Sequence, residues 1–595
     1  MNRRWLINRT NREYLDYLSR AVSISPTLAQ ILINRGIKTP GDAIDFLKPN
    51  ITGLSDPYEI PGMRKAIERI KVAIRNKEGL LIHGDYDVDG LTATAILTEA
   101  LSKTGLNVHY FIPDRFTHGY GFNVASVKMA KKLGLRLIIT VDCGITSFET
   151  VALAKREGID VIITDHHEPK IRTDSNGQSV LQARDEVTGR RGQGTIANLS
   201  PTYSYELPEA LAVLNPKLTT RDSGLSGAGV ALKLVQALVI DREIPLSEDD
   251  FRSLFDLATL GTVADVVPLI KENRIIIKEG LSILSEDRRP GLKALKEVSG
   301  LKDREIKAGL LSYTIIPRIN AAGRLHNATD VVRLFLSTSE EEAQGIAEYL
   351  HSANSERQAI EAEIYGEVMN EINRKEVGTV IVLANRRWHP GVLGIVAAKI
   401  AEEFYRPTFL FTIEGDVAKG SARSIPPFDI HWGISCCKDL LLSFGGHKQA
   451  AGLRLPVSNL TLFEEAMKRI IKESLTDDDF IRILKIDSEV SLTEVNYNLI
   501  RELLMLEPTG YGNPEPLLGA RTLNAINPRI VGNNHLKLML RQEEVTMDAV
   551  GFNMGNIVED VAASSAVDAA FIPTVNEWNG GRYLQMNLKA IRPNP

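Results

Sequence analysis

Four short motifs contain aspartate and histidine residues that could bind metal ions. Their members are Asp85, Asp87, Asp142, Asp165, His166, His167 and Asp265. Carboxylate oxygens and imidazole nitrogens, with no thiolate pattern beside them, favour Mn²⁺ or Mg²⁺ over structural zinc. Several carboxylates in one pocket would repel one another, and two divalent ions would neutralise them. Such a pair lowers the pKa of a bound water and stabilises the attacking and leaving oxygens, so the chemistry indicated is phosphoryl transfer.

Each motif alone has a simpler structural interpretation. An Asp-x-Asp pair in a loop more often belongs to a turn or a helix cap, and adjacent histidines are more often surface or core residues. For Asp89, the expected role is to cap the following helix. Four such motifs at the right places in one α/β domain reverse this balance. Within the first motif, Asp85 and Asp87 can face the same cluster, because residues two apart on an extended segment project from one side.

The elements that must position these residues are strands of a parallel sheet. Short apolar runs predict strands at 79–83, 108–112, 136–141 and 161–164, separated by helical patterns. This alternation is typical of a parallel sheet with helices on both faces. Three of the four motifs follow predicted strands, and ligands collect at the carboxyl ends of the strands in such sheets. The motifs are therefore expected to converge.

Length and composition indicate a multi-domain protein of a reducing compartment. The chain has 595 residues, too many for one hydrophobic core, and its 44% hydrophobic and 24% charged residues exclude disordered, collagen-like and disulfide-scaffold classes. Three cysteines, no apolar run long enough for a membrane span and no signal-like N-terminus predict a cytoplasmic protein without a membrane partner. The net charge of −5 neither supports nor excludes a nucleic-acid partner.

Changes in pattern along the chain divide it into five parts. The predicted parts are an N-terminal arm (1–60), an α/β catalytic domain (61–338), a long charged helix (339–376), a second α/β domain (377–474) and a β domain (475–595). Within the first α/β domain, residues 170–205 are polar and lack an apolar period, which predicts a surface insertion. Its role stays open: its arginines could contact DNA or a partner, although a solvated loop is the simpler interpretation.

The ordered Asp and His motifs resemble the DHH phosphoesterase superfamily and, within it, the bacterial RecJ family. Further motifs carry this similarity from the N-terminal arm almost to the last strand: IPDRFTHGYG at 112–121, RINAAGRL at 318–325, WHPG at 388–391, GGHKQAAG at 445–452 and EPTGYGNPEP at 507–516. The resemblance implies a parallel-sheet DHH domain, a connecting helix, an α/β DHHA1 domain and a C-terminal OB-like β-barrel.

The same resemblance implies a function and a metal centre. The function is that of a metal-dependent exonuclease, specific for single-stranded DNA, which degrades 5′ to 3′ to mononucleotides in DNA repair and recombination. The implied ligands of two Mn²⁺ or Mg²⁺ ions are Asp85, Asp87, Asp142, His166, His167 and Asp265. His167 could instead contact the scissile phosphate, and Asp165 would orient an imidazole by a hydrogen bond.

Substrate-binding residues follow from the resemblance as well. Arg115, Ser421 and Arg423 would bind the 5′-terminal phosphate, since guanidinium groups hold phosphate oxygens bidentately. Gly446 and His447 would approach another phosphate. The motif at 318–325 adds Arg318, Asn320 and Arg324, whose arginines could hold DNA or merely pair with the acidic cluster. In the β domain, Phe552, Trp578 and Tyr583 could stack on bases beside its basic residues or form core.

Two other functions would use the same domains. A phosphoesterase of small nucleotides needs the metal ligands but has little use for the β domain. A non-catalytic replication scaffold need not keep the carboxylates, which are all present here. We expect a monomer, with a single-strand-binding protein and a helicase as possible partners of the single-stranded DNA exonuclease.

Overall fold

A computed structural model describes residues 3–114, 117–119, 121–172, 204–219, 223–241, 244–325, 328–374, 377–578 and 581–594. Two compact units account for them. One comprises Lys48–His351 with Pro508–Pro514, and the other comprises Met1–Leu47, Ser352–Glu507 and Glu515–Pro595. Most of the predicted insertion (173–203) and Arg115 lie outside the described residues.

The N-terminal arm is mainly helical and belongs to the second unit. Its elements are β1 (Arg3–Ile7), α1 (Arg12–Val22), α2 (Pro26–Asn34) and α3 (Pro40–Leu47). Helix α2 begins with Pro26 after Ser25, whose side chain accepts a hydrogen bond from the Leu28 N–H. A proline in the first turn after a serine cap is a standard start of a helix. The serine side chain satisfies one N–H group of the first turn, and proline has no N–H group to leave unpaired.

A five-stranded parallel sheet forms the centre of the first unit. Its elements are α4 (Met63–Asn76), β2 (Gly79–His83), α5 (Val88–Lys103), β3 (Asn107–Phe111), α6 (Val124–Lys132), β4 (Leu137–Val141), α7 (Phe148–Arg156), β5 (Asp160–Thr164), β6 (Lys170–Ile171), β7 (Tyr205–Glu206) and β8 (Ala212–Leu214). The strand order is β3-β2-β4-β5-β8, and every pair is parallel. The direction of winding reverses between β2 and β4, which is where ligands bind in sheets of this order.

Helices cover both faces of this sheet, as the continuous apolar strands require. Ile82 and Ile139 pack into the core that includes α5, whereas Leu81 and Ile138 pack with α6 and α7 on the other face. The short strands β6 and β7 pair antiparallel at the two ends of the predicted insertion. The insertion therefore leaves and re-enters the unit at neighbouring points.

Helices complete the first unit. They are α8 (Gly227–Ile240), α9 (Glu248–Ser253), α10 (Phe255–Ala264), α11 (Lys271–Leu284), α12 (Pro290–Val298), α13 (Ala308–Tyr313), α14 (Ile315–Leu325) and α15 (Thr329–Leu336). Among them lies an ion pair: Lys233 on α8 donates to Glu272 on α11 at 2.8 Å, and only 2% and 8% of the two side chains are exposed. Lys233 also donates to the Ser55 carbonyl at 2.6 Å, which fixes the segment before α4.

A single helix of 33 residues, α16 (Glu340–Ile372), leads from the first unit into the second. The sequence favoured a connector rather than a core element. The structure shows that its C-terminal half is core, because Ile364, Val368 and Ile372 are buried against the next domain. The apolar residues four apart along this helix form the stripe that makes this contact.

A mixed five-stranded sheet follows. Its elements are β9 (Ile381–Asn385), α17 (Pro390–Phe404), β10 (Thr408–Glu414), β11 (Val417–Arg423), α18 (Ile430–Ser435), β12 (Ser443–His447), β13 (Ala450–Pro456) and α19 (Leu460–Ser474). The strand order is β12-β13-β11-β10-β9, in which β9 and β10 are parallel and the other pairs are antiparallel.

The C-terminal part is a closed β-barrel. Its elements are β14 (Arg482–Ile486), β15 (Ser488–Glu489), α20 (Tyr497–Leu504), β16 (Leu518–Val531), β17 (His535–Gln542), β18 (Val545–Gly551), α21 (Val558–Ala563), β19 (Val567–Trp578) and β20 (Gly581–Pro593). Strands β16, β17, β18, β20 and β19 pair in turn, and β19 pairs with β16 to close the barrel. The predicted fold class, including the OB-like barrel, is confirmed. No helix among the described residues is long and apolar enough to cross a membrane.

The buried Lys233–Glu272 pair yields a stability prediction. Replacing Lys233 by Met leaves the Glu272 carboxylate buried without its cation, so we expect the free energy of unfolding to fall by about 3–5 kcal/mol. The double variant Lys233→Met/Glu272→Leu should lose less, because no charge stays buried. Chemical denaturation followed by circular dichroism measures both variants. Lys293→Met, which breaks the exposed pair with Glu340 in the same unit, serves as the control. A double variant less stable than Lys233→Met would contradict the prediction.

Candidate metal centre

The loop between β2 and α5 carries the first two carboxylates. Asp85 is buried, with 2% of its surface exposed. Asp87 is the N-cap of α5, and its side chain accepts a hydrogen bond from the Gly90 N–H at 3.1 Å. The expectation that Asp89 caps this helix was therefore wrong, because Asp87 is the N-cap and Asp89 is the second residue of the helix.

Asp89 joins two helices at the edge of the sheet. Its carboxylate accepts hydrogen bonds from the Gly227 and Ala228 N–H groups, at 2.6 and 2.9 Å, in the first turn of α8. Those N–H groups have no partner within their own helix, so the carboxylate satisfies them. Asp89 is 2% exposed, and the sequence alone gave no signal for this contact, because its partner is more than a hundred residues away.

Asp142 directly follows β4 and adopts a left-handed backbone conformation, with a φ of 59°. Its N–H donates to the Thr164 carbonyl at 2.9 Å, which ties the end of β4 to the end of β5. Gly227 allows α8 to approach: a Cβ at that position would lie 2.5 Å from the Asp142 Cβ. Gly227 is thus a residue of the site that the sequence analysis missed.

Asp165 organises the two histidines that follow it. Its Oδ1 accepts the His166 and His167 N–H groups at 2.7 and 3.0 Å, and its Oδ2 accepts the Ile145 N–H at 2.9 Å. The His167 Nδ1 lies 2.7 Å from the same Oδ1. Burial alone would raise the pKa of Asp165, but these hydrogen bonds and the His167 charge hold it below its ordinary value. Asp165 is therefore an ionised carboxylate that orients His167.

The side chains from the four motifs converge. Three sets have ligand atoms within 4.8 Å of one another: Asp85, Asp87 and Asp142; Asp142, His166 and His167; and Asp89, His166 and Asp265. Asp142 and His166 each belong to two sets. Asp265, the C-cap of α10, places its Oδ2 3.5 Å from the His166 Nε2.

Two buried atoms at the centre indicate a cation site. The Asp142 Oδ1 and the His166 Nε2 lie 3.1 Å apart, yet neither makes a hydrogen bond within the described part of the chain. Two ligands at adjacent corners of an octahedron around one ion, each about 2.1 Å from it, would lie about 3 Å apart. The donor set of carboxylates and imidazoles therefore fits Mn²⁺ or Mg²⁺.

The electrostatics of the cluster agree with this assignment. Burial, followed by repulsion from Asp89 and Asp87, raises the pKa of Asp142 well above its ordinary value. The same two causes, burial and neighbouring carboxylates, raise the pKa of Asp265 to about 8 and that of Asp89 to about 7. Burial also lowers the pKa of His166 to about 3, so its imidazole is neutral and can offer a lone pair.

His83, at the end of β2, links the carboxylate loop to the segment that follows β3. Its Nε2 lies 3.2 Å from the Gly121 carbonyl and must donate, so its Nδ1 accepts from the Ser126 hydroxyl. The next residue, Gly84, donates its N–H to the Phe111 carbonyl at 3.1 Å. Both ends of the segment that contains Arg115 are thus attached next to Asp85, although Arg115 itself lies outside the described residues.

Helix α14 carries the predicted substrate residues of the first unit. Arg318 donates to the Thr314 carbonyl at 2.7 Å and to the His351 Nδ1 at 3.1 Å, contacts that anchor its guanidinium within the helical part of the unit. Asn320 and Arg324 are half-buried on the same helix. Gly323 allows α14 to pack against the loop between β2 and α5, since a Cβ at this position would lie only 2.4 Å from the Tyr86 carbonyl oxygen. Arg324 therefore directly follows Gly323, the residue at which α14 contacts this loop.

In the second unit, the sheet register places Ser421, Arg423 and His447 on one face. Arg423 pairs with Ala450, which pairs with His447, and Ser421 lies two residues before Arg423 on the same strand. The Arg423 Nη1 donates to the Ser421 Oγ at 3.3 Å. Gly446 alternates to the opposite face. Its φ of 142° and the Ala450 carbonyl oxygen, which a Cβ at this position would approach to 2.4 Å, explain why the residue is glycine.

Two of the three aromatic residues singled out in the barrel are not core residues. Phe552 and Tyr583 are 55% and 57% exposed. The side chain of Trp578 lies outside the described residues. The alternative that these aromatics form the barrel core is therefore excluded for Phe552 and Tyr583.

Comparisons with known proteins match the chain along most of its length. Residues 80–199 match the N-terminal domain of the DHH family, 376–473 match the DHHA1 domain and 486–590 match the RecJ OB domain. The single-stranded-DNA-specific exonuclease RecJ of Bacillus subtilis is 35% identical over 594 residues, which are 98% of this chain and 70% of that protein.

Solved structures agree with the sequence comparison. The crystal structure of RecJ from Thermus thermophilus in complex with Mn²⁺ has a TM-score of 0.81 at 30% identity, covering 100% of this chain and 80% of that one. The complex of RecJ from the same organism with Mg²⁺ has a TM-score of 0.76 at 28% identity, covering 100% and 79%.

The repulsion within the cluster predicts an unusual effect of Asp142→Asn. Asparagine keeps the size of the side chain and tolerates the left-handed backbone, while it removes a charge from the cluster. Without metal, we expect the variant to melt at the same temperature as the parent or higher. Mn²⁺ should raise the melting temperature of the parent, because it binds only the folded state, but should raise that of the variant much less.

Differential scanning fluorimetry with EDTA or Mn²⁺ measures both effects. Asp303→Asn is the matched control, since Asp303 has the same φ of 59°, is exposed and belongs to none of the three ligand sets. A shift with Mn²⁺ that is as large for Asp142→Asn as for the parent would contradict the assignment of Asp142 as a ligand.

Proposed function

The chain belongs to the RecJ family and is a metal-dependent exonuclease of single-stranded DNA, and we propose that it degrades its substrate from the 5′ end to mononucleotides. The observation that carries the metal-dependent reaction is the pair of unbonded buried atoms, Asp142 Oδ1 and His166 Nε2, at the centre of three overlapping ligand sets. A catalytic cluster without cations would have no reason to bury such atoms, because each costs desolvation energy without a hydrogen bond in return.

The proposed cofactor is a pair of Mn²⁺ or Mg²⁺ ions. Bound there, they would neutralise the carboxylates, supply an activated water at neutral pH and stabilise the charge on the transferred phosphoryl group. Asp142 belongs to two of the ligand sets, so its carboxylate would be a central ligand of the cluster. Asp85, Asp87 and Asp265 would hold the ions from the two sides of the cluster.

Asp165 and His167 have a separate task in this mechanism. Because the His167 Nδ1 donates to Asp165, the role toward a cation or the scissile phosphate falls to Nε2. The carboxylate raises the pKa of His167 to about 9, although burial alone would lower it. A basic imidazole is a strong ligand of a cation and, when protonated, a strong donor to a phosphate oxygen.

The direction of degradation would come from a pocket for the 5′-terminal phosphate. Ser421 and Arg423 offer a hydroxyl and a guanidinium that already lie within hydrogen-bonding distance of each other. The side chain of Arg115 would complete the pocket, as the family resemblance implies. A terminal phosphate held at a fixed place lets only the next phosphodiester reach the cations, which is why each cleavage would release one nucleotide.

The barrel and the remaining basic residues would contact the strand behind the first nucleotide. Phe552 and Tyr583 expose rings on which bases could stack, and such stacking tolerates any sequence. His447, Asn320 and Arg324 would contact phosphates of the strand. Arg318, by contrast, is occupied by contacts within its own unit.

The proposal extends to cellular context. An exonuclease that requires single strands needs a reaction that separates or exposes them, so a helicase and a single-strand-binding protein are the proposed partners. We place the enzyme in DNA repair and recombination in the cytoplasm and expect a monomer.

A cleavage assay tests reaction and polarity together. Single-stranded DNA labelled at either end should release labelled mononucleotide early only when the 5′ terminus carries the label. Duplex DNA and samples with EDTA should stay intact. Early release from the 3′ label would overturn the proposed direction, and rapid hydrolysis of very short oligonucleotides alone would favour the small-nucleotide phosphoesterase.

The phosphate pocket makes a second, sharper prediction. Arg423→Ala should raise KM for 5′-phosphorylated strands at least about tenfold, a loss expected for one charge-assisted contact. It should leave KM for strands with a 5′-hydroxyl nearly unchanged, so the preference for the phosphate disappears. Equal losses on both substrates would contradict a role at the terminal phosphate.

A further inference from the structure

Half of one face of the DHHA1 sheet is open to solvent. On this face, Leu383 and Leu410 of β9 and β10 are buried with residues of α17. The opposite face is covered by α18 and α19, whose Ile434 and Phe463 pack against Leu453. Over β13 and β12, by contrast, the residues on the first face are exposed, apart from the half-buried Ala450.

Cross-strand register divides this open face into three rows. The first row is Arg423, Ala450 and His447; the second is Ser421, Gly452 and Gly445; the third is Lys419, Arg454 and Ser443. Successive rows lie two residues apart along each strand, or about 7 Å. The first two rows contain the residues proposed above to bind the 5′-terminal phosphate, and the third has no role in that proposal.

The glycines of the second row are not explained by the fold. Neither Gly445 nor Gly452 has a positive φ. A Cβ at Gly445 would meet nothing within 4 Å, and one at Gly452 would meet only the Gly420 carbonyl at 4.0 Å. Glycine weakens a strand interior, and in such a place it often marks the close approach of a ligand. The two glycines keep a flat, uncovered floor next to the Ser421 hydroxyl.

Beyond this floor stand two cations. Arg454 is exposed and makes no side-chain hydrogen bond or ion pair with the described part of the protein. Lys419 makes an ion pair with Glu414, and the two side chains are 40% and 48% exposed. Exposed pairs of this kind hold little free energy, so Lys419 can exchange its partner for a phosphate. The third row therefore presents positive charge at the far side of the floor.

We propose that this open face is a seat for the single strand, in which the glycine floor lies under a nucleotide and Arg454, with Lys419, contacts a backbone phosphate other than the 5′-terminal one. The idea rests on the proposed function, because it takes Ser421 and Arg423 as the site of the terminal phosphate. The Cα atoms of Arg423 and Arg454 lie four residues apart along neighbouring strands, about 14 Å. The two arginines would therefore contact different phosphates of the single strand.

The first test measures binding of a 5′-phosphorylated oligothymidylate to the 595-residue chain in EDTA by fluorescence anisotropy over a range of salt concentrations. Arg454→Ala should weaken binding several-fold and reduce the slope of log affinity against log salt by about 0.7, the value for one phosphate contact on a single strand. Arg454→Lys should restore most of the affinity, since lysine also binds phosphate as a point charge. Arg469→Ala, an exposed arginine on α19, is the control and should change neither quantity.

The second test uses the glycine floor. Gly452→Ala should raise the melting temperature, because alanine is more favourable than glycine in a strand. It should nevertheless weaken binding of the oligothymidylate several-fold, since a methyl group then stands under the nucleotide. A residue with only a structural role would not move stability and affinity in opposite directions.

The outcomes separate this inference from the proposed function. If Arg454→Ala behaves like Arg469→Ala, or Gly452→Ala binds as well as the parent, the seat is overturned while the terminal phosphate pocket can stand. If Arg454→Ala abolishes the preference for a 5′-phosphate over a 5′-hydroxyl, Arg454 belongs to the terminal pocket and the separate contact is wrong. If Arg423→Ala keeps that preference, the proposed function fails at the pocket whatever Arg454 does.

Discussion

Repulsion between buried carboxylates is the constraint on which the catalytic part of this protein depends. Burial, followed by repulsion from neighbouring carboxylates, raises the pKa of Asp89, Asp142 and Asp265. Such an arrangement costs free energy in the absence of a cation. The fold accepts this cost at the point where the winding of the parallel sheet reverses. The packed sheet and its helices hold the acidic groups together although their charges oppose it.

Hydrogen bonding decides which carboxylates remain ionised without help. Asp165 accepts three N–H groups and a bond from His167, so it stays charged and acts on its neighbour. Asp142 has an oxygen without any hydrogen bond in the described chain, so its charge needs a metal ion. The same residue type thus has two tasks, and the number of donors aimed at each carboxylate separates them. Asp89 is intermediate, since its carboxylate satisfies the first turn of α8 and also faces the cluster.

The sequence could predict the strands, the edge where the motifs meet and the kind of metal, because these follow from local apolar periodicity and from residue type. It could not predict contacts that depend on packing between distant segments. Asp89 was expected to cap its own helix, whereas it reaches α8. Gly446 and Gly445 are adjacent in the sequence, yet strand alternation places only Gly445 on the face with His447. The burial of the C-terminal half of α16 was not expected, because the many charged residues of this helix favoured a connector over a core element although its apolar residues share one face.

The two units use their sheets in different ways, and the proposed ligands would explain the difference. A divalent cation is a point charge that needs several oxygens around one centre, and the ends of parallel strands bring together residues from distant parts of the sequence. A nucleotide strand is a linear ligand with repeated charges, and the face of a sheet offers rows of side chains at a regular spacing. The first unit therefore places its acidic residues at strand ends, whereas the DHHA1 sheet carries Arg423 and Arg454 on one face. Each sheet supplies the geometry that its proposed ligand requires.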